Sequence, residues 1–405
     1  MRKLLQTSLA VAALLGVALP VQAQNYGRGV AVSEGAVFVS EPGNVVRSGI
    51  VYVYRADDGG RWVEAAKLTA PDARPADGFG TAIAVHGGTL LASRPGEAEA
   101  RGAVHVFERE DGEWRHTARL TVPDAAAGDS LGAAVALDGE SALVTAIHRN
   151  GGAGAVHVFR RGDDGDWEHE AVLAGRDVQP GDAFGAALAI AGDLALVGAP
   201  LQADERGAAY LFRRTESGEW VEEAKLVART AAEGALLGAS VALLDGRAVV
   251  GAPRRDQATG AVYVFAPDED GEWQDATRLL PFAAGSRAQF GVAMAVVGGE
   301  LWVSAPGADG FAGTVYRFAH EGEGGDWTVV RVLDRGAMPG RAFLGVALGA
   351  SGRVAAASAP GDDHGAGTVA VYAMDESGAW TFRNKVWSEP ESFPAVTGGQ
   401  VDCRE

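Results

Sequence analysis

Clusters of carboxylates in short turns are the first residues in this sequence whose type and spacing could do chemistry. Residues 267–273 read PDEDGEW, with Asp268, Asp270 and Glu272, and residues 161–167 read RGDDGDW. Such turns could hold a cation weakly, but Ca²⁺ needs about six to eight oxygen ligands. Asp and Gly also suit solvated hairpin turns, and similar acidic turns precede other tryptophans of this chain. We therefore predict no metal site.

Histidines and nucleophiles give no stronger signal. The eight histidines show no metal-ligand spacing, and His105 and His157 occupy a recurring position that is Tyr210 in another copy of the same pattern. The sequence has no serine nucleophile elbow and no phosphate-binding loop, and Cys403 lies in a polar tail. The sequence therefore predicts no cofactor and favours a protein without catalytic activity.

The N-terminus has the layout of a secretory signal peptide. Arg2 and Lys3 precede an apolar run that ends in the small-residue segment Val21-Gln22-Ala23. Cleavage after Ala23, which makes residues 1–23 the signal peptide, would leave Cys403 as the single cysteine, so packing must stabilise the mature chain. We expect a secreted or periplasmic protein with no membrane insertion after cleavage.

The charge of the chain limits its partners. The formal net charge is −18 at pH 7, and no basic cluster interrupts the acidic balance. Such a surface repels nucleic acid and anionic lipid and is compatible with cationic partners. We expect a monomer that binds no nucleic acid.

A repeat of about 53 residues organises the whole mature chain. One tryptophan, preceded two residues earlier by Gly, recurs every 52 to 54 residues. A Phe-Gly-like step, a small-small-Pro step and a Gly before a β-like run recur in the same order. The seven repeat tryptophans are Trp62, Trp114, Trp167, Trp220, Trp273, Trp327 and Trp380.

Each repeat reads as four strands. The first follows the Phe-Gly step, a two-residue turn such as Gly192-Asp193 leads to the second, and the fourth begins at the tryptophan. The first two strands are apolar on both faces, as inner strands of radially arranged blades must be. We predict an all-β, seven-bladed β-propeller with four antiparallel strands per blade over residues 24–388, followed by a tail at 389–405.

Closure of the ring needs a separate argument. Only Gln24 and Asn25 precede the first Phe-Gly-like step after the expected cleavage, so no N-terminal strand is available to complete the last blade. We predict that the first blade packs directly on the seventh, with the tail as a clasp.

One repeat resembles a known family. Phe184-Gly185, then Gly198-Ala199-Pro200, then Gly207 and a YLF strand are similar to the FG-GAP repeat of integrin α-chain propellers and of many exported bacterial proteins. The resemblance spans Tyr26 to about Trp387. Several integrin-type repeats carry an Asp-x-Asp-x-Asp-Gly calcium loop between these steps. Here a two-residue turn stands in its place, so the resemblance implies the bacterial branch that lacks calcium.

Loops that differ between copies are where a propeller can carry function. The loops after the Pro step and before the Phe-Gly step should emerge on one face. The candidate binding residues on this face are His148, Arg149, Asp204, Arg206, Arg254, Arg255, Asp256, Phe311, Asp362, Asp363 and His364.

These features favour a binding or adhesion scaffold for a protein or glycan partner. One alternative is an enzyme that acts on an extracellular polymer at the central channel of the ring. Another is a structural component of a cell-surface assembly. Because one fold hosts many functions, the fold alone does not decide among the three.

Overall fold

Seven four-stranded sheets make up the fold. The computed structural model describes residues 26–43, 47–282, 285–320, 327–336, 338 and 340–388. Each sheet contains four antiparallel strands that are consecutive in the chain, and the innermost strands of neighbouring sheets contact one another around a closed ring. The protein is a seven-bladed β-propeller, which confirms the sequence prediction. The predicted signal peptide and C-terminal tail lie outside the described residues.

The strands of each blade run from the centre of the ring to its outside. Blade 1 comprises β1 (Val30–Ser33), β2 (Ala36–Glu41), β3 (Ile50–Ala56) and β4 (Trp62–Leu68), and blade 2 comprises β5 (Ile83–His86), β6 (Thr89–Arg94), β7 (Ala103–Glu110) and β8 (Glu113–Leu120). Blade 3 comprises β9 (Leu131–Asp138), β10 (Ser141–Ala146), β11 (Ala155–Arg161) and β12 (Trp167–Leu173), and blade 4 comprises β13 (Ala187–Ala191), β14 (Leu194–Ala199), β15 (Ala208–Arg214) and β16 (Trp220–Leu226). Blade 5 comprises β17 (Ser240–Leu244), β18 (Arg247–Ala252), β19 (Ala261–Pro267) and β20 (Trp273–Leu279). Blade 6 comprises β21 (Met294–Val297), β22 (Glu300–Ala305), β23 (Thr314–His320) and β24 (Trp327–Val332), and blade 7 comprises β25 (Leu348–Ser351), β26 (Val354–Ala359), β27 (Thr368–Met374) and β28 (Trp380–Val386).

Two-residue hairpins join the first and second strands of every blade. The first turn residue lies at positive φ, for example 55° at Gly192 and 48° at Asp245, as the twist of tight hairpins requires. The sequence pattern predicts the turns of blades 3 and 7 at Asp138-Gly139 and Ser351-Gly352, but each lies one residue later, at 139–140 and 352–353. A calcium loop therefore has no room at this place in any blade.

Among the described residues, short helical turns follow the second strand in six blades, where the sequence analysis predicted only loops. Each α turn carries three consecutive residues at positive φ, such as Ala203, Asp204 and Glu205. No helix among the described residues is long and apolar enough to cross a membrane. The turns are α1 (Glu97–Ala100), α2 (Arg149–Gly152), α3 (Gln202–Glu205), α4 (Arg255–Ala258), α5 (Ala308–Phe311) and a 3-10 turn at Asp363–Gly365.

The Phe-Gly step is the joint between neighbouring blades. Phe184 is fully buried, and its ring centroid lies 5.4 Å from that of Tyr210 in its own blade. Its backbone N–H donates to the carbonyl of Ala153 in the preceding blade, with N···O 3.0 Å. Gly185 has φ 89°, and a Cβ there would lie 2.5 Å from Cγ2 of Thr145. The Gly therefore leaves room for a side chain of the preceding blade to pack against the backbone of this blade.

The hydrophobic core is divided among the seven blade interfaces. Each cluster of buried apolar residues combines strands of two adjacent blades. Outer-strand tryptophans extend these clusters: Trp114 packs edge-on against Phe38 of blade 1, and Trp380 packs against Trp302 of blade 6. The repeat tryptophan therefore ties the outside of each of these blades to its predecessor.

The seam between blades 7 and 1 uses the same joint and additional hydrogen bonds on the outside of the ring, one of them from Tyr54 OH to Trp387 O (3.0 Å). A Cβ on Gly27 would lie 3.1 Å from Cβ of Ser358 in blade 7, so the Gly of the first Phe-Gly-like step closes the ring. On the outside, the Asn384 side chain accepts a hydrogen bond from Trp62 N (3.0 Å) and donates one to Trp62 O (3.2 Å). No strand is exchanged between the ends of the described chain.

Substituting Ala at the joint glycine should destabilise the protein more than the same change at a turn glycine. Gly185→Ala introduces both an unfavourable φ and a collision, and we expect a loss of about 2–5 kcal/mol. Gly192→Ala introduces only the unfavourable φ, because nothing lies within 4 Å of the added Cβ, and should cost about 1–2 kcal/mol. Urea unfolding measures both. Equal losses would refute the role of the close approach.

Asn384→Ala should weaken ring closure without disturbing any other interface. The corresponding position is Ala66 in β4, Ala118 in β8 and Ala171 in β12, so Ala fits the strand. We expect a loss of about 1–2 kcal/mol from the two hydrogen bonds, measured as a lower urea midpoint. Gln274→Ala, on the exposed side of β20, is the control and should change stability by less than about 0.5 kcal/mol. An unchanged midpoint in Asn384→Ala would contradict the closure role.

Candidate functional site

Two sets of loops form one face of the ring, which we call the loop face. The turns after the second strands hold the segments that lead into the next blade: Ala100 O accepts from Ser130 N (2.8 Å), and Glu205 O accepts from Leu236 N (2.9 Å). These bonds use backbone atoms, so the loops keep their shape while side chains vary. The structure places both loop sets side by side, as the repeat predicts.

The candidate binding residues are spread along this face rather than gathered at one point. Asp204, Arg206, Asp256 and Asp363 are exposed, whereas His148, Arg149, Arg254, Arg255 and Phe311 are half-buried. Asp362 is buried, and the side chain of His364 lies outside the described part of the chain.

Several of these residues are held by intramolecular contacts. Arg149 forms an ion pair with Asp124, and Arg255 forms one with Asp256. Phe311 packs on Phe343, with centroids 5.6 Å apart. Such contacts give the face a defined arrangement of charges, and they leave fewer groups free for a ligand.

Asp362 has a structural role within blade 7. Its carboxylate accepts from Thr368 Oγ1 and from Lys385 Nζ, both at 2.7 Å. Burial would raise the pKa of Asp362, but these hydrogen bonds outweigh burial and lower it. The carboxylate therefore stays charged and links the loop to β27 and β28.

One cavity on the loop face lies over blade 4, between the segment that leads into it from blade 3 and the segment that leads out to blade 5, and we call it the acidic cavity. It has a volume of about 850 Å³, and its lining, all within the described residues, contains four carboxylates and no Lys or Arg. Asp182 is buried beneath it and accepts from Gln179 N (2.8 Å). Arg254 approaches Glu205 from blade 5, at 3.5 Å. The lining residues are Pro180, Gly181, Asp182, Leu201, Ala203, Asp204, Glu205, Glu233 and Gly234.

The second cavity, the blade-2 pocket, is smaller and mixed in charge. Its volume is about 350 Å³, and Glu97 lies at its centre. Glu97 accepts from Arg119 Nε (2.7 Å), contacts Nε2 of His105 at 3.1 Å and pairs with Arg94 Nη1 at 3.2 Å. The lining residues are Pro71, Asp72, Arg74, Asp77, Arg94, Glu97, Ala98, His105, His116 and Arg119.

A chain of hydrogen bonds in the blade-2 pocket determines which ring nitrogen carries the proton in His105 and in His116. Burial would raise the pKa of Glu97, but hydrogen bonds from His105 and Arg119 lower it. Burial lowers the pKa of His105 and of His116, so both are neutral near pH 7. Charged Glu97 must then accept from His105 Nε2–H, and His105 Nδ1 must accept from His116 Nε2–H at 2.9 Å. His116 Nδ1 is left as an acceptor.

Blade 3 repeats the histidine pair without the carboxylate. His157 Nδ1 and His169 Nε2 are 3.0 Å apart, but Arg149 occupies the place of Glu97 as the first residue of its turn. His157 is buried, and its Nε2 has no hydrogen-bond partner among the described residues. Burial, with His169 and Arg149 nearby, lowers the pKa of His157 to about 4.

Of the residues that line the two cavities, sequence reasoning named only Asp204 as a candidate; it treated His105 as an ordinary strand residue and missed the rest. A signal was present: Arg94 stands in a step whose corresponding residue is Ala199 or Ala252 in other repeats. Among the described residues, no group of three or more His, Cys, Asp or Glu is arranged to hold a metal ion.

His157 should make the stability of the protein fall in mild acid. Because its folded pKa is about 4, against 6.5 for an unperturbed His, the unfolded chain takes up the proton first. The stability that neutral His157 contributes is fully present above about pH 6.5. The free energy of unfolding then falls by up to about 3 kcal/mol as the pH drops to about 4. Urea unfolding at several pH values should therefore show a shallower pH dependence in His157→Gln than in the wild type. Identical slopes would contradict this assignment.

Comparisons with known proteins agree on the repeat and on the fold. The family model described as FG-GAP repeat matches residues 62–107, 114–159, 167–212 and 220–265. Each match begins at an outer-strand tryptophan and ends in the third strand of the next blade. The family unit therefore spans a blade interface, including its Phe-Gly joint.

Solved structures of other propellers superpose on most of this chain. A Bacteroides uniformis protein, provisionally assigned as a 6-phosphogluconolactonase, has a TM-score of 0.56 at 14% identity and covers 83% of this chain and 92% of its own. A Lactobacillus plantarum protein has a TM-score of 0.54 at 14% identity, and the match covers 84% of this chain and 93% of that protein. The periplasmic gluconolactonase of Pseudomonas aeruginosa has a TM-score of 0.53 at 16% identity, and the match covers 86% of this chain and 96% of that protein. At these identities the likeness is one of fold, and with the matched repeats it means that this chain is an FG-GAP repeat protein built as a seven-bladed β-propeller.

Proposed function

We propose that this propeller is an exported, non-catalytic binding module that takes up a cationic segment of a protein partner at the acidic cavity. The observation that carries the proposal is the composition of that cavity: four carboxylates and no Lys or Arg line about 850 Å³. An overall charge of −18 adds a field that attracts a cationic partner. Such a segment would meet Asp204, Glu205 and Glu233 at the surface.

The rigid backbone of the cavity supports this reading. Gly234 N donates to Asp204 O (3.4 Å), and Leu236 N donates to Glu205 O (2.9 Å), so two sides of the cavity are tied together. A preorganised site loses less conformational entropy on binding. The acidic side chains are thus held in position before the partner arrives.

An oligolysine peptide is a direct probe of this proposal. The mature chain should bind it in calorimetry at low salt. The double variant Asp204→Asn/Glu233→Gln should weaken binding about fivefold or more, because each lost carboxylate removes a nearby attraction. The control Glu216→Gln/Glu219→Gln removes the same charge from the turn between β15 and β16, at the opposite end of the strands.

The control should change affinity by less than about twofold, since more distant charges are screened by salt. If both double variants lose affinity equally, the peptide responds only to net charge and the cavity is not the site. Absence of binding by the wild type would also refute the proposal.

Catalysis is the second candidate, because two of the superposed structures bear lactonase names. The acidic cavity argues against a phosphorylated lactone as substrate, because its carboxylates would repel a phosphate. Incubation with 6-phosphogluconolactone and with gluconolactone tests this candidate. Hydrolysis no faster than in buffer supports a binding module, whereas turnover by the purified chain would overturn it.

A further inference from the structure

The blade-2 pocket carries a group of charged residues that the repeat itself does not need. In blades 3 to 7 the position of Arg94 holds Ala: Ala146, Ala199, Ala252, Ala305 and Ala359. Folding of a blade therefore requires only a small residue there.

Arg94 is nevertheless buried, with 6% of its side chain exposed. Its guanidinium donates to Asp77 Oδ2 (Nε, 3.1 Å), Asp72 O (2.9 Å) and Pro71 O (3.4 Å). Burying a guanidinium is costly unless it is fully paired. Placing it at a position where Ala folds equally well indicates that blade 2 uses it to build the pocket.

The charges that line the pocket cancel. Three guanidinium groups, of Arg74, Arg94 and Arg119, face the carboxylates of Asp72, Asp77 and Glu97, and both histidines are neutral near pH 7. A pocket without net charge gains little by taking up an ion, which would lose its hydration. The pocket therefore suits an uncharged polar ligand.

Unused donors and acceptors remain at the opening. Arg119 is 44% exposed; its Nε and Nη2 contact the Glu97 carboxylate, and its Nη1 remains available as a donor. The side chains of Asp72 and Arg74 have no side-chain partner among the described residues. His116 Nδ1 is an acceptor because Glu97 orients the two imidazoles. Unused donors and acceptors are thus mixed in the lining of the pocket.

We propose that the blade-2 pocket binds a single neutral sugar ring. A hydroxyl both donates and accepts, so adjacent hydroxyls of a sugar match a lining in which donors and acceptors are mixed. The pocket volume of about 350 Å³ lies at the lower end of the range for small-molecule sites. The site is separate from the acidic cavity over blade 4, and neither proposal depends on the other.

Long-range ¹H–¹⁵N spectra of the histidine rings in the mature chain test the site directly. Without ligand, His105 and His116 should both show the Nε2–H tautomer. Methyl glycosides of glucose, galactose, mannose and N-acetylglucosamine are then titrated to about 50 mM, because a ligand of this size is expected to bind with a Kd of about 1 mM. At least one should shift His116 Nδ1 saturably.

Blade 3 supplies the matched control. His116→Gln should weaken the binding about tenfold, which corresponds to about 1.4 kcal/mol. His169→Gln alters the equivalent histidine pair that lacks a carboxylate, and it should bind as the wild type does. Both histidines lie on outer strands, and each packs on a phenylalanine of its own blade, Phe107 or Phe159, with ring centroids 5.3 Å apart, so the two substitutions remove equivalent packing contacts.

Three results would overturn the proposal. The first is no saturable shift with any of the four glycosides. The second is an equal loss in His116→Gln and His169→Gln. The third is binding of glucuronate or glucosamine at least about fivefold tighter than that of the neutral glycosides, because a charge-balanced pocket gives an ion no advantage.

Discussion

The close packing of the preceding blade against the Gly of each Phe-Gly step is the constraint on which this propeller depends. The Gly has no Cβ where Thr145 of the preceding blade comes nearest, and Phe184 beside it fills the core of its own blade. The Phe184 N–H bonds the preceding blade, and the Gly185 N–H bonds Gly198 within its own, at 2.9 Å. One dipeptide thus fixes both the packing within a blade and the spacing between blades.

This arrangement separates folding from recognition. The joint uses backbone atoms and small residues, so the side chains at the turn tips are not required for the ring to close. Charged groups can therefore vary from blade to blade: Glu97, Arg149 and Gln202 are the first residues of three equivalent turns. The acidic cavity and the blade-2 pocket arise from such differences on a common backbone.

The periodic part of the fold could be predicted from the sequence, because each blade repeats the same physical problem. Seven tryptophans, seven Phe-Gly-like steps and the hairpin glycines were enough for blade count, strand order and loop face. Contacts that occur once escaped prediction. At its outer-strand position Asn occurs only in blade 7, as Asn384, and its partner Trp62 is more than three hundred residues away in sequence. Pairing of His105 with His116 likewise depends on the register between β7 and β8.

The two histidine pairs show how much one neighbour changes in otherwise equal surroundings. His105 and His157 occupy the same place in adjacent blades, and each contacts a histidine on the next strand at about the same distance, 2.9 and 3.0 Å. Glu97 gives the first pair a charged acceptor, so its hydrogen bonds have one direction and His116 presents a lone pair. The second pair has no such acceptor: burial, followed by the nearby His169 and Arg149, lowers the pKa of His157, and its Nε2 has no partner among the described residues. Because each blade contacts only its neighbours, such a change alters one pocket and leaves the ring intact, and a repeat with a strict folding signature can therefore acquire different ligands in different blades.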